Sequence, residues 1–211
     1  PLFSHYAGMV AKKMIPVQWE ILNGKQGQSR CFCIDNFRIA GGTLQGEHRG
    51  VVFGDTDAYK WLEAVAYCAN NGETEYIPEA DELIEIIGQA QQPDGYLNTY
   101  FTVCHPELRW KNLTEGHELY SAGHLIEAAV AYYNATGKRR LLDIAARFAD
   151  LICQTFGDGE GQIPGYPGHQ EIELALVKLW RVTGEERYLK TARFFLDCRG
   201  RTPNYLLREM N

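Results

Sequence analysis

The sequence predicts an all-α fold: an α/α toroid of antiparallel helical hairpins that forms an incomplete (α/α)6 barrel. Three observations favour this class. A hairpin pattern repeats along the chain, its helices have the apolar spacing of amphipathic helices, and segments with the alternating pattern of strands are scarce. The 211 residues are 45% hydrophobic, which is ample for a buried core.

The repeat is clearest between the last two hairpins. A shift of 47 positions superimposes Thr136-Gly137 on Thr183-Gly184, and the following helices then match at an arginine, a phenylalanine and an aspartate. A shift of 65 positions places Tyr67 and Gly72 on Tyr132 and Gly137, which indicates an earlier copy. The matching positions of the 47-residue shift are Arg140 and Arg187, Phe148 and Phe195, and Asp150 and Asp197.

Residues 1–54 are interpreted as a lead-in segment. A helix is expected over residues 6–23, kinked or ended near Ile15 by Pro16. The Gly-rich and Gln-rich residues 23–30 predict a loop, residues 31–42 have no assignable pattern, and a glycine-punctuated loop leads to Gly54.

Residues 55–211 are predicted to contain three helical hairpins and a tail, so that residues 1–211 form the N-terminal portion of one barrel domain. Asp55, Thr56 and Asp57 are N-cap candidates for the first helix, which ends at the Asn70-Asn71-Gly72 stop. Its partner follows Pro78 and ends at the Pro93-Asp94-Gly95 turn. The other two hairpins begin near residues 117 and 171.

The first helix of each hairpin is apolar on most of its circumference, whereas the second has one apolar stripe and one charged face. The first helices are therefore expected to form an inner ring and the second helices an outer ring. A closed toroid needs about six such hairpins, so three hairpins predict an open ring whose exposed edge permits self-association.

Composition excludes several classes of partner. The net charge is -6 with acidic and basic residues interspersed, which supplies no basic stripe for nucleic acid. No apolar run approaches the ~20 residues needed to span a membrane, and no signal peptide is visible at Pro1, so a soluble, cytoplasmic protein is expected. The cysteines are expected to be reduced and packed as small apolar groups: Cys31, Cys33, Cys68, Cys104, Cys153 and Cys198.

Two Gly-His pairs are the main candidates for a functional site. Gly116-His117 and Gly168-His169 each stand where a loop enters the first helix of a hairpin, at the loop-rich end of the array. Free N–H groups at a helix N-terminus and an imidazole both suit the oxygens of a sugar. An isolated histidine is more often a cap or a buried polar group, but recurrence at equivalent positions favours a binding role for His117 and His169.

Other polar residues near these pairs leave alternatives open. Glu118 and Glu171 could be the paired carboxylates of a glycosidase, or acids that simply stabilise helix N-termini. His124 lies on the same helical face as His117, but the i, i+4 spacing typical of a metal-binding helix is absent. No catalytic residue and no metal ligand is assigned within this chain.

Four stretches closely resemble glycoside hydrolase family 127, whose founding activity is β-L-arabinofuranosidase. The resemblance extends from the N-terminal segment through Asp197-Cys198-Arg199-Gly200. The matching stretches are Asp55-Thr-Asp-Ala-Tyr-Lys-Trp-Leu-Glu63, Ala90-Gln-Gln-Pro-Asp-Gly-Tyr-Leu-Asn-Thr99, His117-Glu-Leu-Tyr-Ser-Ala-Gly-His124 and Gly165-Tyr-Pro-Gly-His-Gln-Glu-Ile-Glu-Leu-Ala175.

The resemblance implies an (α/α)6 barrel followed by β-sandwich domains, and retaining hydrolysis in which a cysteine thiolate attacks the anomeric carbon. It implies zinc, held by cysteines and a glutamate, in the complete enzyme, and no cofactor within this chain. It places His117 and His169, with Glu118 beside them, in the sugar-binding pocket. None of the six cysteines matches the family's nucleophile and zinc motif, so this chain is expected to be inactive alone.

Two other functions are retained as alternatives. A non-catalytic carbohydrate-binding or assembly fragment would complete its ring with another chain. A different α/α-toroid sugar enzyme, such as an epimerase or an unsaturated-uronide hydrolase, would use Asp94 with His117.

Overall fold

The computed structural model describes residues 2–25 and 31–209, and these residues are almost entirely helical. Within them, the only pairing of extended backbone is a single bridge between Phe156 and Ile163. A π-helical segment, Val10–Met14, joins the first two helices, and a short 3-10 turn covers Pro106–Leu108. The α-helices are α1 Leu2–Met9, α2 Ile15–Leu22, α3 Cys33–Ala40, α4 Asp55–Asn70, α5 Ile77–Ala90, α6 Thr99–Val103, α7 Glu118–Thr136, α8 Arg140–Thr155, α9 Ile172–Thr183, α10 Glu186–Arg199 and α11 Tyr205–Glu209.

The helices form two layers. Helix α7 packs between α4 and α9 in the inner layer, and α5, α8 and α10 form the outer layer behind them. Each inner helix is joined to an outer partner, as α7 is to α8 and α9 to α10. This arrangement confirms the predicted all-α class and the toroid architecture of stacked hairpins.

Burial follows the two layers as expected. Helix α7 is buried around most of its circumference, whereas α8 buries a single stripe that includes Leu141, Phe148 and Ile152. Because both faces of an inner helix contact protein, small residues such as Ala128 and Ala129 allow its neighbours to approach closely. The inner helices α4, α7 and α9 thereby form a continuous wall, and the long loops that precede them lie at the same end of it.

The 47-residue repeat corresponds to equivalent local structure. Helices α7 and α9 both end at a left-handed glycine, Gly137 with φ +71° and Gly184 with φ +75°. The preceding threonines, Thr136 and Thr183, each donate a hydroxyl hydrogen bond to the carbonyl oxygen four residues earlier, over 2.7 and 2.8 Å. The predicted hairpin boundaries are therefore set by the same capping chemistry in both copies.

Equivalent arginines tie neighbouring outer helices together. Arg140, at the start of α8, makes a bidentate contact with Glu85 of α5, with its Nε 3.0 Å from one carboxylate oxygen. Arg187, in the first turn of α10, lies 2.6 Å from Asp150 of α8. Because these pairs are solvent-exposed, each adds little to the free energy of unfolding, and we interpret them as contacts that orient neighbouring hairpins.

The segment before Gly54 forms one long helix, made of α1, the π segment and α2, and the shorter helix α3. The continuous helix of residues 2–22 packs against α4, and α3 packs against α5 and α4. Pro16 does not end the helix, because it occupies the first turn of α2, where its missing N–H is tolerated. The predicted loop of residues 23–30 lies partly outside the described residues, and α3 occupies most of the segment that had no assignable pattern.

The N-cap prediction for Asp55 is wrong. Gly54 is the N-cap of α4, and Asp55 is the first helical residue, with 1% of its surface exposed. Its carboxylate accepts hydrogen bonds from the backbone N–H of Thr99 at 2.8 Å and from the Thr99 hydroxyl at 2.5 Å. Asp55 therefore fixes the start of α6 against α4, and burial raises the pKa of its carboxyl to about 6.

Candidate functional site

The two Gly-His pairs lie against each other at the loop-bearing end of the inner wall. The backbone N–H of Gly168 donates to the carbonyl oxygen of Leu113 at 2.9 Å. A Cβ atom on Gly168 would stand 2.5 Å from the carbonyl oxygen of Thr114, and one on Gly116 would stand 2.4 Å from that of Asn112. Gly168 leaves no room for a side chain because the two loops approach closely there, and Gly116 leaves none because its own loop turns back on Asn112.

The loop before His117 is held by the last helix. The carboxylate of Glu209 accepts hydrogen bonds from the backbone N–H groups of Leu113 and Thr114, at 2.7 and 2.8 Å. The Thr114 hydroxyl donates to the same carboxylate at 2.6 Å. A single side chain near the end of the chain therefore positions the loop that carries the first histidine.

His117 is the N-cap of α7 and has a left-handed backbone conformation, with φ +57° and ψ 17°. Only one other described non-glycine residue, Trp110, has a positive φ. This conformation costs about 1 kcal/mol for an L-residue, so the surroundings must hold it. The ring Nδ1 lies 2.5 Å from the carbonyl oxygen of Glu115, which fixes the imidazole orientation.

His169 meets His117 ring to ring. Their Nε2 atoms are 3.1 Å apart and their ring centroids 4.8 Å apart. His169 lies in the loop just before α9 and is exposed to solvent, whereas His117 is half-buried. The two imidazoles that the repeat singled out therefore converge on one point at the mouth of the inner wall.

Tyr120 forms the floor beneath the two histidines. Its ring centroid lies 5.7 Å from that of His117, 5.2 Å from that of His169 and 4.6 Å from that of His124. Lys60 of α4 donates a hydrogen bond to the Tyr120 hydroxyl at 3.0 Å. An aromatic ring flanked by hydrogen-bonding groups is suited to the C–H face and hydroxyls of a sugar.

His124 lies one turn deeper in α7 and contacts the start of α9. Its Nδ1 is 3.4 Å from a carboxylate oxygen of Glu171. Burial, assisted by the charge of Lys60, lowers the pKa of His124 to about 4, so the ring is neutral near pH 7 and the contact is not an ion pair. Burial also raises the pKa of Glu171.

Glu118 points away from the two histidines and into the protein. Its side chain, with 2% of the residue exposed, accepts a hydrogen bond from the Tyr96 hydroxyl and another from the backbone N–H of Trp110 at 2.8 Å. Burial raises the pKa of Glu118 to about 7, although the bonds from Tyr96 and Trp110 and the charge of Arg109 favour the ionised form. This geometry favours a role in holding the Trp110 loop over direct contact with a sugar.

The turn that precedes α6 buries its aromatic residue and leaves its acidic residue exposed. Tyr96 is fully buried, with the guanidinium of Arg109 3.9 Å above its ring. Asp94 accepts from the backbone N–H of Tyr96 and contacts Arg109 at 3.4 Å. Neither Asp94 contact involves His117, so these contacts do not form the pair expected of other toroid sugar enzymes.

The described residues do not form the zinc site that the resemblance implies. Among residues 2–25 and 31–209, no group of three or more histidine, cysteine, aspartate and glutamate side chains is arranged to hold a metal ion. His117, His124 and His169 form no such group. The residues present therefore do not fit zinc.

The site contains residues that the repeat did not reveal. Tyr120 follows His117 by three positions, so the helical period alone could have placed it on the same face. Lys60 lies sixty positions earlier, and only the packing of α4 on α7 brings it to the Tyr120 hydroxyl. Local sequence patterns carry no signal for that contact.

Comparisons with known proteins agree with this architecture. The profile of the glycoside hydrolase family 127 catalytic domain, described as β-L-arabinofuranosidase, matches residues 1–209. A non-reducing end β-L-arabinofuranosidase of Bifidobacterium longum subsp. longum is 37% identical over 228 residues, which cover 100% of this chain and 35% of that protein. The chain belongs to glycoside hydrolase family 127.

Two solved structures of the family superimpose on the chain. A β-L-arabinofuranosidase from Geobacillus stearothermophilus T6 has a TM-score of 0.93 and 56% identity, covering 99% of this chain and 33% of its own. A second family 127 β-arabinofuranosidase has a TM-score of 0.82 and 37% identity, covering 92% and 31%.

The chain thus spans about a third of the length of these relatives. Along the described part of the chain, no helix is both long and apolar enough to cross a bilayer.

Proposed function

We propose that this chain supplies one wall of the sugar-binding pocket of an enzyme that hydrolyses β-L-arabinofuranosides. The convergence of His117 and His169, with their Nε2 atoms 3.1 Å apart at the mouth of the inner wall, carries the proposal. Membership of family 127 and the activity named for the relatives support this choice of sugar. Glu118 is assigned a positioning role through Trp110.

The hydrogen bonds assign a proton to each ring. A carbonyl oxygen can only accept, so His117 must donate through Nδ1 to Glu115. In the neutral ring Nε2 then carries the lone pair, and the bond between the rings requires His169 to donate from its own Nε2. The pair therefore offers one acceptor and one donor aimed at the same point.

A sugar hydroxyl matches this pair because it both donates and accepts. The Nε2 atoms are too close for an oxygen to fit between them, so the exposed His169 ring must first turn away. One hydroxyl would then donate to Nε2 of His117 and accept from Nε2 of His169, so that two hydrogen bonds replace one. The ring of Tyr120 lies beneath both imidazoles and offers an apolar face to the sugar C–H groups. The backbone carbonyl oxygen of Glu115 keeps the His117 ring in the same orientation when no sugar is bound.

We assign no bond-breaking step to these residues. The cysteine thiolate nucleophile and the retaining mechanism implied by the resemblance are assigned to no side chain of these 211 residues. Turnover is proposed to require the parts of the family fold that are not represented here, because the chain corresponds to about a third of its relatives. Binding and hydrolysis are then separable properties.

Titration of the 211-residue chain with methyl β-L-arabinofuranoside, followed by NMR of the imidazole resonances, tests the binding. We expect His117 and His169 to shift together. His117→Ala or His169→Ala should weaken affinity about tenfold, the value of one or two lost hydrogen bonds. His105→Ala, which alters an exposed imidazole beside Glu107, is the matched control and should leave affinity unchanged.

Two outcomes would contradict the proposal separately. Equal affinity of both alanine variants and the parent chain would remove the imidazoles from the pocket. Release of nitrophenol from p-nitrophenyl β-L-arabinofuranoside by the isolated chain would instead show that the covalent chemistry is already present within it.

A further inference from the structure

Two thiols meet where the chain enters α3. The Sγ atoms of Cys31 and Cys33 are 3.3 Å apart, and the Cys31 Sγ also lies 3.6 Å from a carboxylate oxygen of Asp57. Cys33 is the first residue of α3 and is 1% exposed, whereas Cys31 is half-buried. The proposed sugar site uses neither thiol.

We propose that Cys31 and Cys33 are a redox modification site, in which a hydroperoxide oxidises the two thiols to an intrachain disulfide that thiols can reduce again. The proposal stands independently of sugar binding, since it depends only on the contacts around α3 and the first turn of α4.

Cys31 is accessible to a small oxidant. It lines an open cleft of about 400 Å³ together with Asp57, Lys60 and Trp61. A hydroperoxide is far smaller than this volume, and the ammonium group of Lys60 places a positive charge within the same cleft. Cys33, in contrast, is covered by protein and is not open to the oxidant.

The two thiols have the complementary character that such a pair needs. The contact with Cys33 lowers the pKa of Cys31, while the same contact and burial raise that of Cys33. Burial raises the pKa of Cys68, Cys104 and Cys153 as well. Cys31 is therefore the thiol most prone to ionise, and Cys33 is placed to react second.

The chemistry balances in two steps. The Cys31 thiolate attacks one peroxide oxygen, the O–O bond breaks, and the sulfur becomes a sulfenic acid while hydroxide leaves and takes up a proton. The Cys33 sulfur then attacks the sulfenic sulfur, the S–S bond forms, and the sulfenic hydroxyl leaves as water after taking the Cys33 proton. Two thiols and one peroxide give one disulfide and two waters.

The backbone permits the bond. Phe32, between the two cysteines, has φ -117° and ψ 3°, so the segment is not extended. Two residues span at most about 7 Å, and disulfides join Cα atoms up to about that separation. The sulfur atoms must close from 3.3 Å to about 2.05 Å, which takes Cys31 away from Asp57.

Peptide mass spectrometry tests the disulfide directly. Trypsin cuts after Arg30 and Arg38, so the peptide of residues 31–38 carries both thiols and no other cysteine. After treatment of the folded chain with hydrogen peroxide and alkylation under denaturing conditions, we expect this peptide to be unalkylated and two hydrogen atoms lighter. Dithiothreitol before alkylation should restore two alkyl groups.

Two variants test the mechanism. Cys33→Ala should leave Cys31 as a sulfenic acid that dimedone labels, and circular dichroism checks that the variant is folded. Asp57→Asn removes a negative charge that raises the pKa of Cys31, so oxidation at neutral pH should be about threefold faster. Cys68→Ser, at a lone half-buried thiol, is the matched control and should change nothing.

The proposal is overturned if peroxide leaves both thiols of the 31–38 peptide alkylatable while it oxidises Cys68 or Cys104. Recovery of Cys31 as sulfinic acid with Cys33 still alkylated would also overturn it, because the second thiol would then have failed to react.

Discussion

The side chains of Glu118 and Asp55 end in buried carboxyl groups, and each accepts hydrogen bonds that hold a neighbouring segment in place. Burial raises the pKa of Glu118 from 4.5 to about 7 and that of Asp55 from 3.8 to about 6. At a pH between the pKa of the unfolded chain and that of the folded protein, each carboxyl holds a proton when folded and releases it when unfolded. Its contribution to the free energy of unfolding is therefore fully present below the unfolded pKa and is lost as pH rises through the folded pKa.

We expect the free energy of unfolding to fall between about pH 5 and about pH 8. The Glu118 shift corresponds to about 3 kcal/mol at most. Glu118→Gln removes the ionisable group, so its unfolding free energy should depend much less on pH over this range. Urea unfolding, followed by tryptophan fluorescence at several pH values, measures the slope.

Asp55→Asn should flatten the lower part of the same range, since its raised pKa of about 6 lies below that of Glu118. Glu107→Gln, at an exposed side chain in the 3-10 turn, serves as the control and should keep the parent slope. A parent protein whose stability is constant or rises from pH 5 to pH 8 would show that burial does not raise the pKa of these two carboxyls above their values in the unfolded chain.

At the scale of elements, α7 approaches the residue before α9 closely at Gly123. A Cβ on Gly123 would stand 2.5 Å from Cγ of Glu171 and 3.1 Å from its backbone carbon. Gly123→Ala must push the two helices apart and should lower the unfolding free energy by about 1–3 kcal/mol. Denaturant unfolding measures the change.

Gly8→Ala is the matched control for this contact. Gly8 is also helical, but a Cβ there meets nothing within 4 Å. Replacing it should stabilise the helix by up to about 1 kcal/mol, because alanine has the higher helix propensity. If both alanine variants were equally stable, close packing of α7 on α9 would not be the reason for glycine at position 123.

Some features of the helices could be predicted from the sequence, and others could not. The hairpins and their ends could be predicted, because Thr136-Gly137 and Thr183-Gly184 are local capping signals that repeat. His117 and His169 were singled out because each follows a glycine at the entrance to a hairpin; they are 52 residues apart, so the 47-residue shift does not superimpose them. The role of Asp55 could not be predicted, because its partner Thr99 lies 44 positions away and only tertiary packing joins them.

For the molecule as a whole, the two ends of the array expose large apolar side chains. On α1, Phe3 is 87% and Tyr6 52% exposed, and at the other end Leu174 and Leu196 are 52% and 57% exposed. We expect the 211-residue chain to self-associate as its concentration rises, because association removes these surfaces from water. Sedimentation velocity over a range of concentrations measures this.

Phe3→Glu should shift this equilibrium towards the monomer. Lys13→Gln, in the π segment that continues the same helix, lowers the net charge by one as Phe3→Glu does, without removing an apolar group, and controls for net charge. A parent chain that sediments as a monomer at every concentration would show that the exposed edges do not drive association.

The clamp of Glu209 on Leu113 and Thr114 joins positions 96 and 95 residues apart. A chain leaving the ribosome completes the helices that carry both histidines well before this glutamate emerges. Until then, the turn ahead of His117 is restrained only by its own hydrogen bonds, such as that of Glu115 with Asn112, and by the contact between the two loops. The imidazole pair should accordingly acquire its native geometry only after Glu209 has been synthesised.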